Sequence, residues 1–76
     1  MKTLIVEDSA TLRAIYAQYL HGSGLEVDSV ETLFAARESL AKADVQLVLL
    51  DIELPDGNGL DLIDDLRQLS PQPAVV

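Results

Sequence analysis

Nearly continuous apolar runs mark two strands in this chain. Residues 4–6 and 45–50 consist mainly of Leu, Ile and Val, which is typical of strands covered on both faces of a parallel sheet. The first strand is expected over Lys2–Val6, and the run at 45–50 ends at Asp51. Residues 25–30 alternate less regularly and include polar side chains, which predicts an outer strand at the edge of the sheet.

Apolar residues at helical spacing predict a first helix between these strands. It is expected to begin after Ser9 as its N-cap and to end near His21 and Gly22, because glycine readily adopts the left-handed conformation that ends helices. Its apolar stripe contains Leu12, Ile15, Tyr16, Tyr19 and Leu20. We expect Tyr16 and Tyr19 to be core or rim residues and His21 to have a structural role at the helix end.

The second half of the chain predicts two further helices and one further strand. Thr32 is expected to cap a helix that runs to about Ala43, with Leu33, Phe34 and Leu40 on one apolar face. A dense turn signal follows at residues 55–59. The next helix carries an apolar stripe formed by Leu60, Ile63, Leu66 and Leu69. Residues 74–76 are apolar and predict the opening of a fourth strand.

Strands that alternate with helices imply right-handed βαβ crossovers, and therefore an α/β fold with a parallel sheet. Glu7 and Asp8 follow the first strand, and Asp51 follows the third. If these strands are neighbours, the three carboxylates converge at the carboxyl edge of the sheet. Such a cluster repels itself unless it is protonated or holds a cation, and partly hydrated oxygen ligands favour Mg²⁺. Taken alone, Asp8 and Ser9 could equally start the first helix at its positive end.

The composition describes one small acidic domain. The chain has 76 residues and a formal net charge of -8, with 5 basic residues against 13 acidic ones. This balance argues against direct nucleic-acid binding by this segment, because phosphate backbones attract Lys and Arg. Without cysteine there is no disulfide, thiolate metal site or catalytic thiol.

No stretch has the length of a signal-peptide core or a membrane span, so we expect a cytoplasmic protein without membrane contact. A solvated face without chemistry is expected for Asp56, Asp61, Asp64 and Asp65.

Three motifs occur in an order typical of one protein family. They are Leu-Ile-Val-Glu-Asp-Ser at residues 4–9, Leu-Val-Leu-Leu-Asp-Ile at 47–52 and Leu-Pro-Asp-Gly-Asn-Gly at 54–59. With these motifs the chain resembles the receiver domain of bacterial two-component response regulators, and the third motif is most similar to receivers of NtrC-type activators. The resemblance implies a flavodoxin-like (CheY-like) fold with strand order 2-1-3-4-5. Residues 1–76 would then be the N-terminal portion of one receiver domain, from its first strand to the start of its fourth.

The resemblance also implies a role for each acid of the cluster. Asp51 would be the phosphoacceptor, which takes a phosphoryl group from a phosphohistidine of a sensor histidine kinase or phosphotransfer protein. Asp8 would bind Mg²⁺ directly, Glu7 would bind it through water or orient it, and the backbone carbonyl of Glu53 would supply a further oxygen. The chain would not be a turnover enzyme, because the phosphoryl group stays on its own Asp51.

The family pattern includes two positions that fall beyond Val76: a Ser or Thr after the fourth strand and a Lys after the fifth. We therefore expect a truncated receiver with impaired signalling, drawn from a longer parent protein with a possible output domain. The apolar residues at 74–76 also lead us to expect a homodimer.

Two other functions remain open. A degenerate receiver could serve only for dimerisation or partner binding, without accepting a phosphoryl group. An aspartyl-phosphate phosphatase of the haloacid dehalogenase type also places a nucleophilic Asp after a strand. Its second Asp, two residues later, is replaced here by Glu53, so this enzyme resembles the chain less.

Overall fold

The computed structural model describes residues 2–42, 44–69 and 72–76, which form a parallel sheet with helices packed against it. The described elements are β1 Lys2–Val6, α1 Ala10–Leu20, β2 Glu26–Val30, α2 Leu33–Lys42, β3 Leu47–Leu50, β4 Glu53–Leu54, β5 Gly57–Asn58, α3 Leu60–Leu66 and β6 Ala74–Val75. The predicted α/β class is confirmed. The predicted end of the second helix at Ala43 lies outside the described residues. Among the described helices, none is both long and apolar enough to cross a membrane.

The main sheet has the strand order β2-β1-β3-β6, and its strand pairs are parallel. Val6 is paired with Val30 of β2 and with Leu50 of β3, so the carboxyl ends of these three strands lie level. β2 lies at the edge, as its mixed pattern predicts, and β6 pairs with β3 as the predicted fourth strand. The order expected from the family resemblance is confirmed for these four strands.

A hydrophobic core lies between the sheet and the helices α2 and α3. Its buried side chains are Leu4, Val6, Leu33, Ala36, Val45, Val48, Leu54, Leu62 and Leu66. Each fully buried leucine stabilises the fold by about 1.5–3 kcal/mol. Because β1 and β3 both contribute to this core, it holds their carboxyl ends in a fixed position.

Helix α1 begins where the sequence predicts, but its apolar stripe is less buried than predicted. The Ser9 hydroxyl accepts a hydrogen bond from the Leu12 N–H at 3.3 Å, which confirms the N-cap. Tyr19 is 83% exposed, so its assignment to the core or rim is wrong. No residue of α1 is buried, because the helix packs with one narrow side against β1 and β2.

Helix α2 also has a different buried face from the predicted one. The Thr32 hydroxyl accepts a hydrogen bond from the Ala35 N–H at 3.0 Å, as its predicted capping role requires. Phe34, however, is 67% exposed, and the core side of the helix is formed by Leu33 and Ala36. The expectation that Phe34 shares the apolar face is therefore wrong.

The predicted turn at residues 55–59 overlaps a short hairpin over residues 53–58 that the sequence did not indicate. Its strands β4 and β5 are antiparallel, with Glu53 opposite Asn58. In the helix that follows, Leu62 and Leu66 are fully buried while Leu60 is 51% exposed. The predicted stripe of α3 is thus wrong at Leu60, because leucines occupy two sides of this helix and only packing selects between them. It is also wrong at Leu69, which lies beyond the end of the helix at Leu66 and is 37% exposed.

Candidate functional site

Backbone pairing carries the acidic residues to one edge of the sheet. The N–H of Glu7 donates to the carbonyl of Val30 at 3.0 Å, and the N–H of Asp51 donates to the carbonyl of Val6 at 2.9 Å. The parallel ladder therefore continues one residue past the end of each strand. Glu7 and Asp51 lie side by side because β1 and β3 are neighbours, and Asp8 follows in the loop to α1.

Glu7, Asp8 and Asp51 form a compact group of carboxylates, as the sequence predicts. One oxygen from each residue lies within 4.8 Å of the others. Glu7 is 6% exposed, whereas Asp51 is half-buried and Asp8 is exposed. The group therefore has a buried floor and an open side that faces solvent.

The pKa of Glu7 is raised above its ordinary value of 4.5, first because burial penalises the charged carboxylate. The N–H of Ser9 donates to Glu7 Oε1 at 3.1 Å and opposes this shift. A hydrogen bond with Asp8 and the negative charges of Asp51 and Asp8 raise the pKa further. The three carboxylates therefore repel one another until a proton or a cation joins them.

The donor set suits a small hard cation. All three groups are carboxylates, and octahedral Mg–O bonds of about 2.1 Å place ligand oxygens about 3 Å apart when adjacent and about 4.2 Å apart when opposite. Oxygens that lie within 4.8 Å of one another need only small side-chain rotations to meet one ion. The open side leaves room for the water molecules that Mg²⁺ usually keeps. The residues present therefore fit the ion that the family resemblance implies.

The segment after Asp51 turns back against the site. The N–H of Glu53 donates to Asp51 Oδ1 at 3.4 Å, so Glu53 lies beside the carboxylates while its side chain is exposed. Its backbone carbonyl as a metal ligand stays a prediction. The N–H of Gly59 donates to the carbonyl of Ile52 at 2.6 Å, and a Cβ on Gly59 would overlap the backbone carbonyl of Asp51. Gly59 is thus required by the close approach of two backbones, which the turn signal did not reveal.

Asp56 has a structural role that the sequence reasoning missed. Its carboxylate accepts hydrogen bonds from the N–H groups of Leu33 at 2.8 Å and Phe34 at 3.0 Å, at the start of α2. These two hydrogen bonds are the main reason why the pKa of Asp56 lies below its ordinary value of 3.8. Asp56 is exposed, as the expected solvated face requires, but it also caps α2 from 23 residues away, and such a contact leaves no local signal.

Arg13 is a second residue near the site that no motif indicated. Its Nη1 donates to the carbonyls of Glu7 at 2.9 Å and Asp8 at 3.1 Å, and it lies 3.5 Å from the Glu31 carboxylate. The signal that could have found it is its position early in α1, since a long cationic side chain there reaches the preceding loop.

A cavity of about 250 Å³ opens beside the acids. Its lining residues are Val6, Glu7, Tyr16, Leu49, Leu50, Asp51 and Val76. Most of these residues are apolar, and Glu7 and Asp51 are the two acids among them. Tyr16 therefore borders the candidate site, which the helical stripe alone did not show.

Comparison with known proteins finds relatives along almost the whole chain. The family model of the response regulator receiver domain matches residues 3–76. The KDP operon transcriptional regulatory protein KdpE of Escherichia coli is 41% identical over 73 residues, which cover 96% of this chain and 32% of KdpE. The response regulator protein PilR of Pseudomonas aeruginosa is 39% identical over 74 residues, which cover 97% of this chain and 17% of PilR. The chain thus spans a third or less of the length of these relatives.

Solved structures show the same architecture. The MaeR response regulator bound to beryllium trifluoride has a TM-score of 0.89 and 40% identity, over 100% of this chain and 64% of the MaeR chain. The beryllofluoride-activated NtrC4 receiver domain dimer has a TM-score of 0.90 and 27% identity, over 99% of this chain and 62% of that chain. TrrA of Thermotoga maritima with Mg²⁺ and beryllium fluoride has a TM-score of 0.88 and 27% identity, over 97% of this chain and 64% of TrrA. TrrA was also solved in complex with the histidine kinase ThkA. These likenesses confirm the predicted flavodoxin-like fold.

Proposed function

The chain belongs to the response regulator receiver family, and from this premise we propose that Asp51 accepts a phosphoryl group from a phosphohistidine in an Mg²⁺-dependent reaction. The donor is a sensor histidine kinase or a phosphotransfer protein. The observation that carries the proposal is the convergence of Glu7, Asp8 and Asp51 within 4.8 Å at the carboxyl edge of the sheet. The similarity to PilR and to the NtrC4 receiver agrees with the NtrC-type third motif.

Asp51 is the nucleophile of this transfer. One of its carboxylate oxygens forms a bond to phosphorus, the bond between phosphorus and the ring nitrogen of the donor histidine breaks, and that nitrogen keeps the electron pair. The N–H of Glu53 donates to Asp51 Oδ1 and so restrains the orientation of the carboxylate. Because the phosphoryl group ends on Asp51 itself, we propose that the chain is a phosphoacceptor and not a turnover enzyme.

The acids of the site hold the metal ion. Asp8 and Asp51 would contribute carboxylate oxygens, Glu7 would bind through water or orient the ion, and Glu53 would contribute its backbone carbonyl. When bound, Mg²⁺ neutralises charge between the Asp51 carboxylate and the incoming phosphoryl oxygens. Catalysis then depends on position and electrostatics, which the fixed strand ends supply.

Solved relatives support the proposal. TrrA was solved with Mg²⁺ and beryllium fluoride, and in complex with the histidine kinase ThkA. MaeR was solved with beryllium trifluoride. At 27% identity, TrrA supports the same ion and the same class of partner for this chain, and MaeR, at 40% identity, supports the fluoride analogue as a ligand of the site.

Intact-mass spectrometry after incubation with acetyl phosphate tests the proposal. With Mg²⁺ present, the chain is expected to gain the mass of one phosphoryl group. Asp51→Asn, or removal of Mg²⁺ with EDTA, should abolish this gain. Asp64→Asn is the matched control, because it makes the same chemical change on an exposed face of α3 and should leave the adduct intact. An adduct that persists in Asp51→Asn, or steady turnover of a phosphate ester, would contradict the proposal.

Self-association is a second candidate function, favoured by exposed apolar side chains on α1. Leu12, Ile15 and Tyr19 are 39%, 41% and 83% exposed. Apolar surface of this kind commonly marks an interface, and we propose a homodimer that covers it. Light scattering over a concentration series should give a dimeric mass for the wild type and Asp51→Asn alike, and a lower mass for the double variant Ile15→Ser with Tyr19→Ser. A monomeric wild type at the highest concentration would rule the dimer out.

A further inference from the structure

Arg13 binds the backbone of the loop that carries two of the three acids. Its Nη1 donates hydrogen bonds to the carbonyl of Glu7 at 2.9 Å and to the carbonyl of Asp8 at 3.1 Å. The Arg13 side chain is 22% exposed, so most of its surface is buried. Hydrogen bonds from a charged donor are stronger than those between neutral groups. The guanidinium therefore restrains this piece of main chain.

The two carbonyls belong to the peptide units that follow Glu7 and Asp8. Rotation of either peptide unit redirects the neighbouring side chain, whereas the site needs its carboxylate oxygens within 4.8 Å of one another. The N–H of Ser9 holds the Glu7 carboxylate at 3.1 Å on the same loop. Arg13 thus fixes the main chain while Ser9 fixes the ligand, and neither contact involves Asp51.

Glu31 lies near Nη1, the same guanidinium nitrogen that donates to the two carbonyls. Its carboxylate lies 3.5 Å from Arg13 Nη1, in the segment between β2 and α2. The Glu31 side chain is 65% exposed, so this ion pair contributes little energy by itself, but it favours one orientation of Arg13. Since Arg13 hydrogen-bonds to carbonyls, the carboxylates of Glu7 and Asp8 stay available to a metal ion.

We propose that Arg13 is a positioning residue for the Mg²⁺ site, which raises the affinity for the ion by holding Glu7 and Asp8 in the ligating arrangement. This inference rests on the proposed function, since it concerns the same site. Charge and geometry predict opposite results when Arg13 is removed. Loss of a cation makes the site more negative and would tighten Mg²⁺ binding, whereas loss of positioning weakens it. The sign of the change in affinity therefore identifies the role.

Isothermal titration calorimetry of the chain with Mg²⁺ tests this role. Arg13→Met keeps most of the apolar stem and removes every donor, and we expect its Kd for Mg²⁺ to rise about tenfold, as for other groups that orient metal ligands. Arg13→Lys keeps the charge and a donor and should restore most of the affinity. Arg67→Met is the matched control, because it removes the same charge from a side chain that is 68% exposed at the end of α3. Its Kd should stay within about twofold of the wild type, since exposed distant charges are screened.

Urea unfolding of the same proteins shows which variants are folded during the titration. If Arg13→Met does not fold, Arg13→Gln takes its place, because it is neutral and reaches less far toward the two carbonyls. An unchanged or lower Kd in a folded neutral variant would overturn this inference and leave the proposed function intact. A wild-type chain that does not bind Mg²⁺ would overturn the proposed function itself, and this inference with it.

Discussion

Glu7 carries a negative charge where the fold disfavours it. Because its pKa is raised above 4.5, the folded state binds the Glu7 proton more tightly than the unfolded state. Glu7 therefore favours folding below pH 4.5, and this contribution is lost as the pH rises through the folded pKa. We expect Glu7→Gln to stabilise the metal-free chain by about 1 kcal/mol at pH 7, because it removes an unfavourable charge from a functional site. The same substitution should weaken Mg²⁺ binding.

Urea unfolding at pH 7 and pH 4 without Mg²⁺ measures this gain in stability, which should shrink at pH 4 where wild-type Glu7 is protonated. Glu53→Gln is the control, because it makes the same change on an exposed side chain beside the site. If the Glu7→Gln chain is less stable than the wild type at pH 7, the charge of Glu7 is not the main factor that lowers the free energy of unfolding.

Glycine is required at position 59 because there is no room for a Cβ, and not because the backbone conformation is unusual. An added Cβ would overlap the carbonyl of Asp51 and lie 3.2 Å from the Cα of Ile52. Overpacking of this kind costs about 1–3 kcal/mol, and here it would displace the strand end that carries Asp51, the proposed phosphoacceptor. We expect Gly59→Ala to lower both the free energy of unfolding and the yield of phosphorylated Asp51.

Gly22→Ala provides the comparison for Gly59→Ala. Gly22 has a φ of +80° and no atom within 4 Å of an added Cβ, so alanine there strains the backbone far from the site. This variant should lose stability and keep its phosphorylation. Equal phosphorylation of the two variants at matched folded fractions would contradict the role given to Gly59.

The β4–β5 hairpin is tied to α2 through Asp56. Its carboxylate accepts the N–H groups of Leu33 and Phe34, and these bonds hold its pKa below 3.8. The stabilisation is therefore present above pH 3.8 and is lost as the pH falls through the folded pKa. We expect Asp56→Ala to lower the urea midpoint at pH 7, and this difference from the wild type to disappear in acid. Asp64→Ala, on a side chain that is 78% exposed, should change the midpoint little. An Asp56→Ala midpoint equal to that of Asp64→Ala would exclude the cap.

Local signals predicted the helices and the strands of the main sheet but not the β4–β5 hairpin, and tertiary contacts decided which helix faces are buried. Ser9 and Thr32 cap their helices as predicted, because a cap needs only the next three residues. Phe34 was assigned to the wrong side, since spacing alone cannot select between two apolar sides of α2. The carboxylate site was predictable because its acids directly follow neighbouring strands. The contacts of Arg13 and Asp56 were not, because their partners lie in another loop or element.

The carboxylates of the site have no direct ion pair among the described residues, because Arg13 binds the backbone carbonyls of Glu7 and Asp8 instead. The chain has 5 basic residues. Their ion pairs are Lys2–Asp28, Arg13–Glu31, Arg37–Asp65, Lys42–Glu38 and Arg67–Asp64. Within residues 2–42, 44–69 and 72–76, no lysine or arginine forms an ion pair with Glu7, Asp8 or Asp51. The carboxylate site is therefore where an added cation relieves the most repulsion.

Mg²⁺ is accordingly expected to stabilise the chain far more than Na⁺ at the same ionic strength. A ligand that binds only the folded state stabilises it by about 2.7 kcal/mol at 100 times its Kd, whereas Na⁺ mainly screens the net charge. Thermal unfolding in the two salts at matched ionic strength measures the difference. Asp51→Asn should lose most of the Mg²⁺-specific gain, and Asp64→Asn should keep it. If both salts raise the melting temperature equally, they act only by screening the net charge. Because only the folded sheet brings positions 7, 8 and 51 together, the Mg²⁺-specific gain reports the assembly of the fold and of the site at once.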